Sequence, residues 1–259
     1  NTIIPQFNLL LIHILSKRPL TSPVNFATIK LTAVVKKGGI PITEAFYKLE
    51  PDKQQRILEA VLKEFATQGY DKASTNRIVQ EAGIAKGMLF YYFKNKQELF
   101  RYALQHSIKY LTEEYVSKLD YTEPDFIARF QKAVESKMQA YLKNPYPFAL
   151  LANAYIQKDA IAIAPDLYQE LEELTANGLQ QMFANIDTTL FRPDLAPEHI
   201  INLIRWTIDG WSNETIAALQ NQDLIDYDWD TGVIDFRELL AILRKVLYKE
   251  EADNGDFKG

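Results

Sequence analysis

The stretch that decides the fold is residues 74–96, which reads STNRIVQEAGIAKGMLFYYFKNK. Ser74 is a suitable N-cap for a short helix, and the apolar positions of that helix are Ile78, Val79 and Ala82. Gly83 is suited to end this helix in a left-handed or close-packed turn, and another short helix begins near Ala85. The succession of short helix, turn and short helix predicts a helix-turn-helix element.

The flanking residues supply the apolar faces that this element needs, because helices of about eight residues cannot bury a core alone. Over residues 52–68, before Gly69, apolar residues recur at helical spacing: Ile57, Leu58, Val61, Leu62, Phe65 and Ala66. A further helix starts at Asn95 and carries Leu99, Phe100, Ala103 and Leu104. We therefore predict an N-terminal three-helix domain with the helix-turn-helix element over residues 46–105.

The rest of the chain divides at prolines and acidic loops into further helical patterns. They cover residues 124–143, 146–158, 165–186, 197–220 and 234–250. No stretch alternates with a strand period for long enough to suggest a sheet. We expect an all-α protein of about nine helices, with a larger second helical domain over residues 106–251 and a polar tail at 252–259.

Residues 1–45 differ from the rest, because they are β-branched and irregular and contain four prolines and the Gly38-Gly39 pair. We expect an N-terminal extension that lies outside the core fold. The alternative is a basic arm that adds phosphate contacts through Lys17, Arg18, Lys36 and Lys37.

Charge is distributed unevenly along the chain, whose net charge is −5. Residues 1–45 carry +4, residues 46–100 carry +2, and residues 101–259 carry −11. Contacts with a polyanion such as DNA should therefore come from the N-terminal part, and the acidic remainder should face away from it.

Several classes of function are disfavoured by the residues present. There is no cysteine, which excludes disulfides and thiolate metal sites. No apolar run approaches the roughly 20 residues that cross a bilayer, and no export signal is evident, so we expect no membrane association and a cytoplasmic protein.

Metal binding and catalysis also find no support in the sequence. The histidines His13, His106 and His199 have no ligand spacing. The acidic stretch 226–232 resembles the start of a calcium loop, but its glycine and its glutamate each come one residue late. No nucleophile-elbow, phosphate-loop or dinucleotide motif occurs. We expect no metal, no cofactor and no enzymatic activity.

The sequence GIAKGMLFYYFKNK at residues 83–96 resembles the G-V-S-x-G-T-L-Y-x-Y-F-x-x-K pattern of the TetR/AcrR family of regulators. Gly69-Tyr70, Ser74-Thr75 and Ile78 fall at the spacings that the family shows, and the resemblance covers residues 52–100. The chain departs from the pattern at three positions where the family usually has a hydroxyl: Ala85, Met88 and Phe90.

The resemblance implies that the second short helix enters the major groove of a double-stranded DNA operator. Phosphates would be contacted by Thr75, which lies at a helix N-terminus, and by Tyr91, Tyr92 and Lys96. Bases would be faced by Lys86, Gly87 and Asn76, and Met88 would lie on the same exposed surface.

The resemblance also implies that the C-terminal domain forms a homodimer and binds a small-molecule effector. The dimer would form through the helices at about 197–220 and 234–250. A pocket among the middle helices would be lined by Met138, Tyr141, Phe148, Leu151, Tyr155, Met182, Phe183 and Trp206, and would suit an apolar or aromatic effector.

The expected function is that of a ligand-responsive repressor that the effector releases from DNA. The alternative is a DNA-binding regulator controlled by a protein partner, with the C-terminal domain as a scaffold, and a closed core without a cavity would favour it. A third interpretation, an all-α enzyme or transport-associated protein with a fortuitous helix-turn-helix, is disfavoured because no catalytic set of residues is present.

Overall fold

The computed structural model describes residues 43–156, 162–219 and 229–249, and these residues are almost entirely helical. Within these ranges there are ten α-helices and two short 3₁₀ turns. The β-structure found there is an isolated antiparallel bridge between Phe191 and Tyr248. The all-α prediction is confirmed. The basic residues of the N-terminal extension, residues 226–228 of the acidic stretch and the polar tail lie outside the described residues.

The first five helices contain the predicted helix-turn-helix element. Their bounds are α1 Glu44–Tyr47, α2 Pro51–Lys72, α3 Thr75–Ala82, α4 Lys86–Phe93 and α5 Lys96–Glu114. Pro51 stands in the first turn of α2, where its missing N–H costs nothing. Gly69 has φ 67° and ψ 178°, so it interrupts α2 where the sequence predicts an end, and a last turn follows to Lys72.

Helix α1 was not anticipated from the sequence. Phe46 is buried, and its ring centroid lies 4.9 Å from that of Phe93 and 5.6 Å from that of Tyr102. The Thr43 N–H donates to the carbonyl of Tyr92 at 3.1 Å. The expectation that residues 43–45 lie outside the fold is therefore wrong, because hydrophobic burial of Phe46 fixes this end of the chain.

The remaining helices match the five patterns found in the sequence. They are α6 Phe126–Lys143, α7 Tyr146–Ile156, α8 Pro165–Met182, α9 Pro197–Leu219 and α10 Trp229–Leu247. Helix α10 begins five residues earlier than expected, and α8 ends four residues earlier. None of the helices in the described ranges combines the length and the apolar character that crossing a membrane requires.

The start of α6 ties three helices together. The Asp125 carboxylate caps α6 by accepting from the amides of Ile127 and Ala128 at 3.0 and 3.1 Å. It also accepts from Arg244 of α10 at 2.7 Å. The buried Arg129 donates through Nη1 to three carbonyl oxygens near the end of α8, those of Gln181, Met182 and Ala184. These bonds satisfy the orphan groups of two helix ends.

The two predicted domains share a continuous buried apolar cluster. Helix α7 packs against α2 and α5, so a helix of the C-terminal part lies directly on the DNA-binding part. The Asn153 side chain of α7 donates to the carbonyl of Ala66 in α2 at 2.5 Å. In addition, Arg101 of α5 forms two hydrogen bonds to the Asp166 carboxylate of α8, at 2.7 and 2.8 Å.

Candidate nucleic-acid interface

The turn between α3 and α4 has the backbone conformation that the sequence predicted. Gly83 has φ 64° and ψ 39°, in the left-handed region, which residues with a Cβ adopt at a cost. The Ile84 N–H donates to the carbonyl of Val79 at 3.0 Å, which closes the end of α3. No atom lies within 4 Å of the position of a Cβ on Gly83, so the backbone angle rather than space requires glycine here.

The first turn of α4 is exposed to solvent. Lys86, Gly87 and Met88 are all exposed, and a Cβ on Gly87 would meet no atom within 4 Å. One turn further on, Tyr91 is 59% exposed. The opposite side of α4 packs into the core through Leu89 and Phe93. Lys86, Gly87, Met88 and Tyr91 together form what is called here the exposed edge of α4. This edge presents an ammonium group, an uncovered backbone, a thioether and a phenol.

Tyr92 does not belong to this edge. It is 1% exposed, and its ring lies 5.8 Å from that of Phe46 in an edge-to-face arrangement. The predicted phosphate contact of Tyr92 is therefore wrong for this structure. Consecutive residues on a helix point about 100° apart, and α1, which the sequence did not reveal, covers the side of α4 that Tyr92 occupies.

The start of α3 is held by a buried carboxylate that the sequence analysis missed. Glu64 of α2 accepts the N–H of Ser74 at 2.7 Å and the guanidinium of Arg77 at 2.5 and 3.0 Å. Ser74 occupies the N-cap position as predicted, but its side chain makes no capping bond. The sequence could have indicated this role of Glu64, because a glutamate three residues after Val61 lies on the apolar face of α2 and needs a polar partner there.

In the first turn of α3, Thr75 is half-buried and Asn76 is exposed. Lys96 is half-buried and is already engaged within the protein. Its ammonium group donates to the carbonyl of Asp71 at 3.2 Å and lies 4.8 Å from the ring centroid of Tyr70. Lys96 thus joins the start of α5 to the end of α2, and its remaining donors stay available for a phosphate.

The exposed cations on helices α2, α3 and α4 differ in whether they form an ion pair within the protein. Arg77 is paired with Glu64, and Lys63 with Glu81 at 2.5 Å. Lys86 and Lys94, by contrast, form no ion pair among the described residues. Lys86 and Lys94 therefore present positive charge at the two ends of α4, where a polyanion would meet it without having to break an ion pair among the described residues.

The C-terminal part contains a small cavity among α5, α7 and α8. Its walls are Leu104 and Ile108 of α5, Leu151, Ala154 and Tyr155 of α7, and Leu167, Tyr168 and Leu171 of α8. Its free volume is about 10 Å³, which is about the space of a single water molecule. The rings of Tyr155 and Tyr168 are stacked at its edge, with centroids 6.0 Å apart.

Of the eight residues predicted to line a pocket, Leu151 and Tyr155 line this cavity. Tyr141, Phe148 and Met182 are buried in the core, and Met138 and Phe183 are half-buried against it. Trp206 is 58% exposed on α9, so its assignment to a pocket is wrong. The cavity residues that the prediction missed lie on three helices, and a sequence pattern cannot distinguish them from ordinary core: Leu104 and Ile108 of α5, Ala154 of α7, and Leu167, Tyr168 and Leu171 of α8.

Trp206 belongs instead to an exposed apolar face on the last two helices. This face, called here the α9–α10 face, consists of Leu203, Trp206, Ile242 and Val246, each between 43% and 59% exposed. Leu203 and Trp206 are three residues apart on α9, and Ile242 and Val246 are four residues apart on α10, so each pair lies on one side of its own helix.

The described residues contain no group of three or more histidine, cysteine, aspartate or glutamate side chains that could hold a metal ion.

The comparison with family models places residues 57–103 in the family described as bacterial regulatory proteins, tetR family. Those residues run from the middle of α2 into α5 and so include the whole exposed edge of α4.

Curated relatives of the chain are transcriptional regulators. The fatty acid metabolism regulator protein of Bacillus subtilis is 22% identical over 175 residues, which is 66% of this chain and 85% of the relative. An HTH-type transcriptional regulator of Staphylococcus aureus is 23% identical over 159 residues, which is 58% of this chain and 85% of the relative.

Two solved structures share the fold. A TetR family transcriptional regulator from Chloroflexus aurantiacus has a TM-score of 0.51 and 20% identity, and the match covers 81% of this chain and 99% of that one. The ketosteroid transcriptional regulator of Mycobacterium tuberculosis has a TM-score of 0.50 and 19% identity, with 78% and 98% covered.

Proposed function

Because the chain is a transcriptional regulator of the TetR family, we propose that it binds an operator through the exposed edge of α4 and represses transcription until an effector releases it. Members of this family are DNA-binding regulators rather than enzymes. Binding to the chromosome would place the protein in the bacterial cytoplasm.

The observation that carries this proposal is the exposed first turn of α4. Lys86 can donate to the acceptor atoms of a guanine, and Gly87 lets the backbone come close to the base edges. Asn76 and Met88 flank these two residues, and Thr75, Tyr91 and Lys96 lie where they can contact phosphates. Phosphate contacts fix the position of the protein, and Lys86 provides the base preference.

The α9–α10 face supports a homodimer. Helix-turn-helix proteins read two half-sites about one helical turn apart, which requires two-fold symmetry. An apolar face on helices far from α4 in the sequence would bring two copies together and leave both α4 helices free. We assign Trp206 and Ile242 to this interface.

The cavity supports an apolar effector, since its walls are aliphatic and aromatic. A molecule larger than water must separate α7 or α8 from α5. Helix α8 is tied to α5 by Arg101 and Asp166, and α7 to α2 by Asn153. Movement of either helix would therefore displace the DNA-binding helices, and a few kcal/mol of differential affinity would suffice to shift the population.

The small size of the cavity also supports the second candidate, a regulator controlled by a protein partner. This cavity, with free space of about 10 Å³, holds no drug-sized molecule as it stands, because such pockets measure roughly 300–1,000 Å³. In that case the partner would bind the C-terminal helices and act on the same α7 and α8 contacts.

Two experiments test the proposal. A duplex that the protein selects from a random DNA library is placed between a promoter and a reporter gene, and expression should fall when the protein is present. A rise in expression would identify an activator instead.

The selected duplex is then bound in vitro and exposed to a cell extract divided by ultrafiltration. Release by the small-molecule filtrate supports an effector. Release by the protein fraction alone supports the partner-controlled alternative and contradicts the effector.

A further inference from the structure

A buried carboxylate lies at the start of α3, next to the place where we propose that a phosphate binds. Glu64 of α2 is 8% exposed, and its Oε1 accepts the N–H of Ser74 at 2.7 Å. Thr75, the proposed phosphate contact, is the next residue of the chain. A carboxylate and a phosphate are both anions that a helix N-terminus attracts. A Glu64 carboxylate without a cation would therefore repel the DNA backbone at this position.

Arg77 supplies the cation that neutralises this carboxylate. Its Nε donates to both Glu64 oxygens at 3.0 Å, and its Nη2 donates to Oε1 at 2.5 Å. The same Nη2 donates to the carbonyl of Lys72 at 2.9 Å, so the guanidinium joins the end of α2 to the start of α3. Two of the three guanidinium nitrogens are therefore engaged within the protein.

The two partners of this ion pair differ in their exposure to solvent. The Glu64 side chain is 10% exposed, whereas the Arg77 side chain is 53% exposed. The guanidinium therefore lies on the solvent side of the carboxylate. An anion that approaches the start of α3 would meet a neutral pair rather than a bare negative charge.

We propose that Arg77 is a positioning residue for DNA binding, which neutralises Glu64 and fixes the start of α3 so that a phosphate can bind at Thr75. This inference rests on the proposed function, since it concerns the same duplex and the same helix. It goes beyond that function because it assigns a role to a cation that does not itself contact DNA. The contrasting possibility is that Arg77 leaves Glu64 and binds a phosphate directly.

The variant Arg77→Ala leaves the Glu64 carboxylate without its cation. The probe is the duplex that the wild type enriches from a random DNA library, and affinity is measured by fluorescence anisotropy. Repulsion between two charges about 10 Å apart, at an effective dielectric constant of about 20, should weaken binding roughly ten-fold for each protomer. Unchanged affinity of this variant would refute the proposal.

The double variant Arg77→Ala/Glu64→Gln separates positioning from direct contact. Glutamine keeps an oxygen that accepts the Ser74 N–H but has no charge to repel a phosphate. It also removes the unpaired buried charge that could unfold the single variant. If Arg77 is a positioning residue, the double variant should regain wild-type affinity to within about two-fold and keep the wild-type slope of log K against log salt. A persistent loss, with a slope shallower by about 0.9 per protomer, would show direct phosphate contact and overturn the proposal.

The matched control is Lys63→Ala, which breaks another ion pair between α2 and α3. Lys63 pairs with Glu81 at 2.5 Å, and Glu81 lies at the opposite end of α3 from Thr75. This control should bind the duplex within about two-fold of the wild type. Equal losses in Lys63→Ala and Arg77→Ala would refute the proposal, because the loss of any ion pair between these helices would then explain the effect. A wild type that binds no duplex refutes the proposed function itself, and the role of Arg77 with it.

Discussion

At Gly87 the protein leaves room for a side chain that the residue does not have. No atom lies within 4 Å of the position of a Cβ, and the residue sits in the first turn of an ordinary helix. Nothing in the part of the chain that the structure describes therefore requires glycine at position 87, in contrast to position 83, where the φ of 64° does. We propose that glycine at position 87 serves the close approach of DNA to the backbone of α4.

The substitution Gly87→Ala separates stability from DNA binding. Alanine has the higher helix propensity, so the free energy of unfolding should rise by a few tenths to about 1 kcal/mol, while affinity for the selected operator should fall. Gly83→Ala is the contrasting control, because it should lower the free energy of unfolding by about 1 kcal/mol through its left-handed angle. Urea unfolding and anisotropy give the two quantities. Unchanged DNA affinity of Gly87→Ala would refute the close approach.

The two neighbouring tyrosines of α4, Tyr91 and Tyr92, should contribute differently to operator affinity. Tyr91→Phe removes a hydroxyl from the exposed edge, so operator affinity should fall by about 1 kcal/mol, roughly five-fold. Tyr92→Phe changes a buried ring and should leave operator affinity as it is. Anisotropy titrations of both variants measure this difference. An equal loss in both would mean that Tyr92 leaves the core when DNA binds.

Among the elements, α5 has a double role, because it follows the helix-turn-helix element and also walls the cavity. Arg101 in its first half bonds to Asp166 in α8, and Leu104 and Ile108 follow one and two turns later. We therefore expect a displacement of α8 to reach the DNA-binding part through the Arg101–Asp166 ion pair.

A double-mutant cycle on Arg101→Ala and Asp166→Ala measures this coupling. Because Asp166 is 59% exposed, solvent screening limits the coupling to roughly 0.5–1 kcal/mol in the free energy of unfolding at neutral pH. If the operator affinity of the double variant no longer responds to the releasing extract fraction, the pair transmits the signal. Full release of the double variant would show that it does not.

The coupling free energy between Arg101 and Asp166 should depend on pH in a predictable direction. The Arg101 guanidinium lowers the pKa of the Asp166 carboxyl below its ordinary value of 3.8. The coupling free energy should therefore be fully present above the unfolded pKa and should disappear as the pH falls through the lowered folded pKa. Urea unfolding of the four proteins of the cycle at neutral and acidic pH measures it, and a coupling that grows in acid would contradict the assignment.

The sequence predicts a helix well where a capping residue or an apolar repeat marks it. It predicts a helix less well where the helix is held by contacts with residues far away in the sequence. Gly83 and the α6 N-terminus at Asp125 were predictable from local chemistry. Phe46 was not, because α1 has four residues and is held by a ring cluster formed from α4 and α5. Trp206 was misassigned because helical spacing shows that a residue lies on an apolar face without showing whether that face packs inside the chain or remains exposed.

For the whole molecule, we assign the exposed edge of α4 to DNA and the α9–α10 face to a second copy of the chain. The exposed edge of α4 carries the exposed cation Lys86, and the α9–α10 face carries exposed apolar groups. Residues 101–259 have a net charge of −11, which repels DNA from the C-terminal helices. Charge therefore directs DNA to the N-terminal side of the protein.

The dimer is tested with two exposed apolar residues of similar accessibility. Ile242→Glu places a charge on the α9–α10 face, where Ile242 is 59% exposed, whereas Leu142→Glu changes a residue of α6 that is 54% exposed. Analytical ultracentrifugation should show a monomer for Ile242→Glu and a dimer for Leu142→Glu, because a buried unpaired charge opposes association. Dimers of equal stability in both variants would place the interface elsewhere.

The central claim is that the exposed edge of α4 reads DNA sequence, and selection from a random DNA library tests it most directly. Wild-type protein should enrich an inverted repeat with half-sites about one helical turn apart. Lys86→Ala should change the preferred base at one position of each half-site, and Lys96→Ala should weaken binding to all sequences alike. If the wild type enriches no sequence, or if Lys86→Ala enriches the same repeat with the same base preference, the assigned edge does not read DNA.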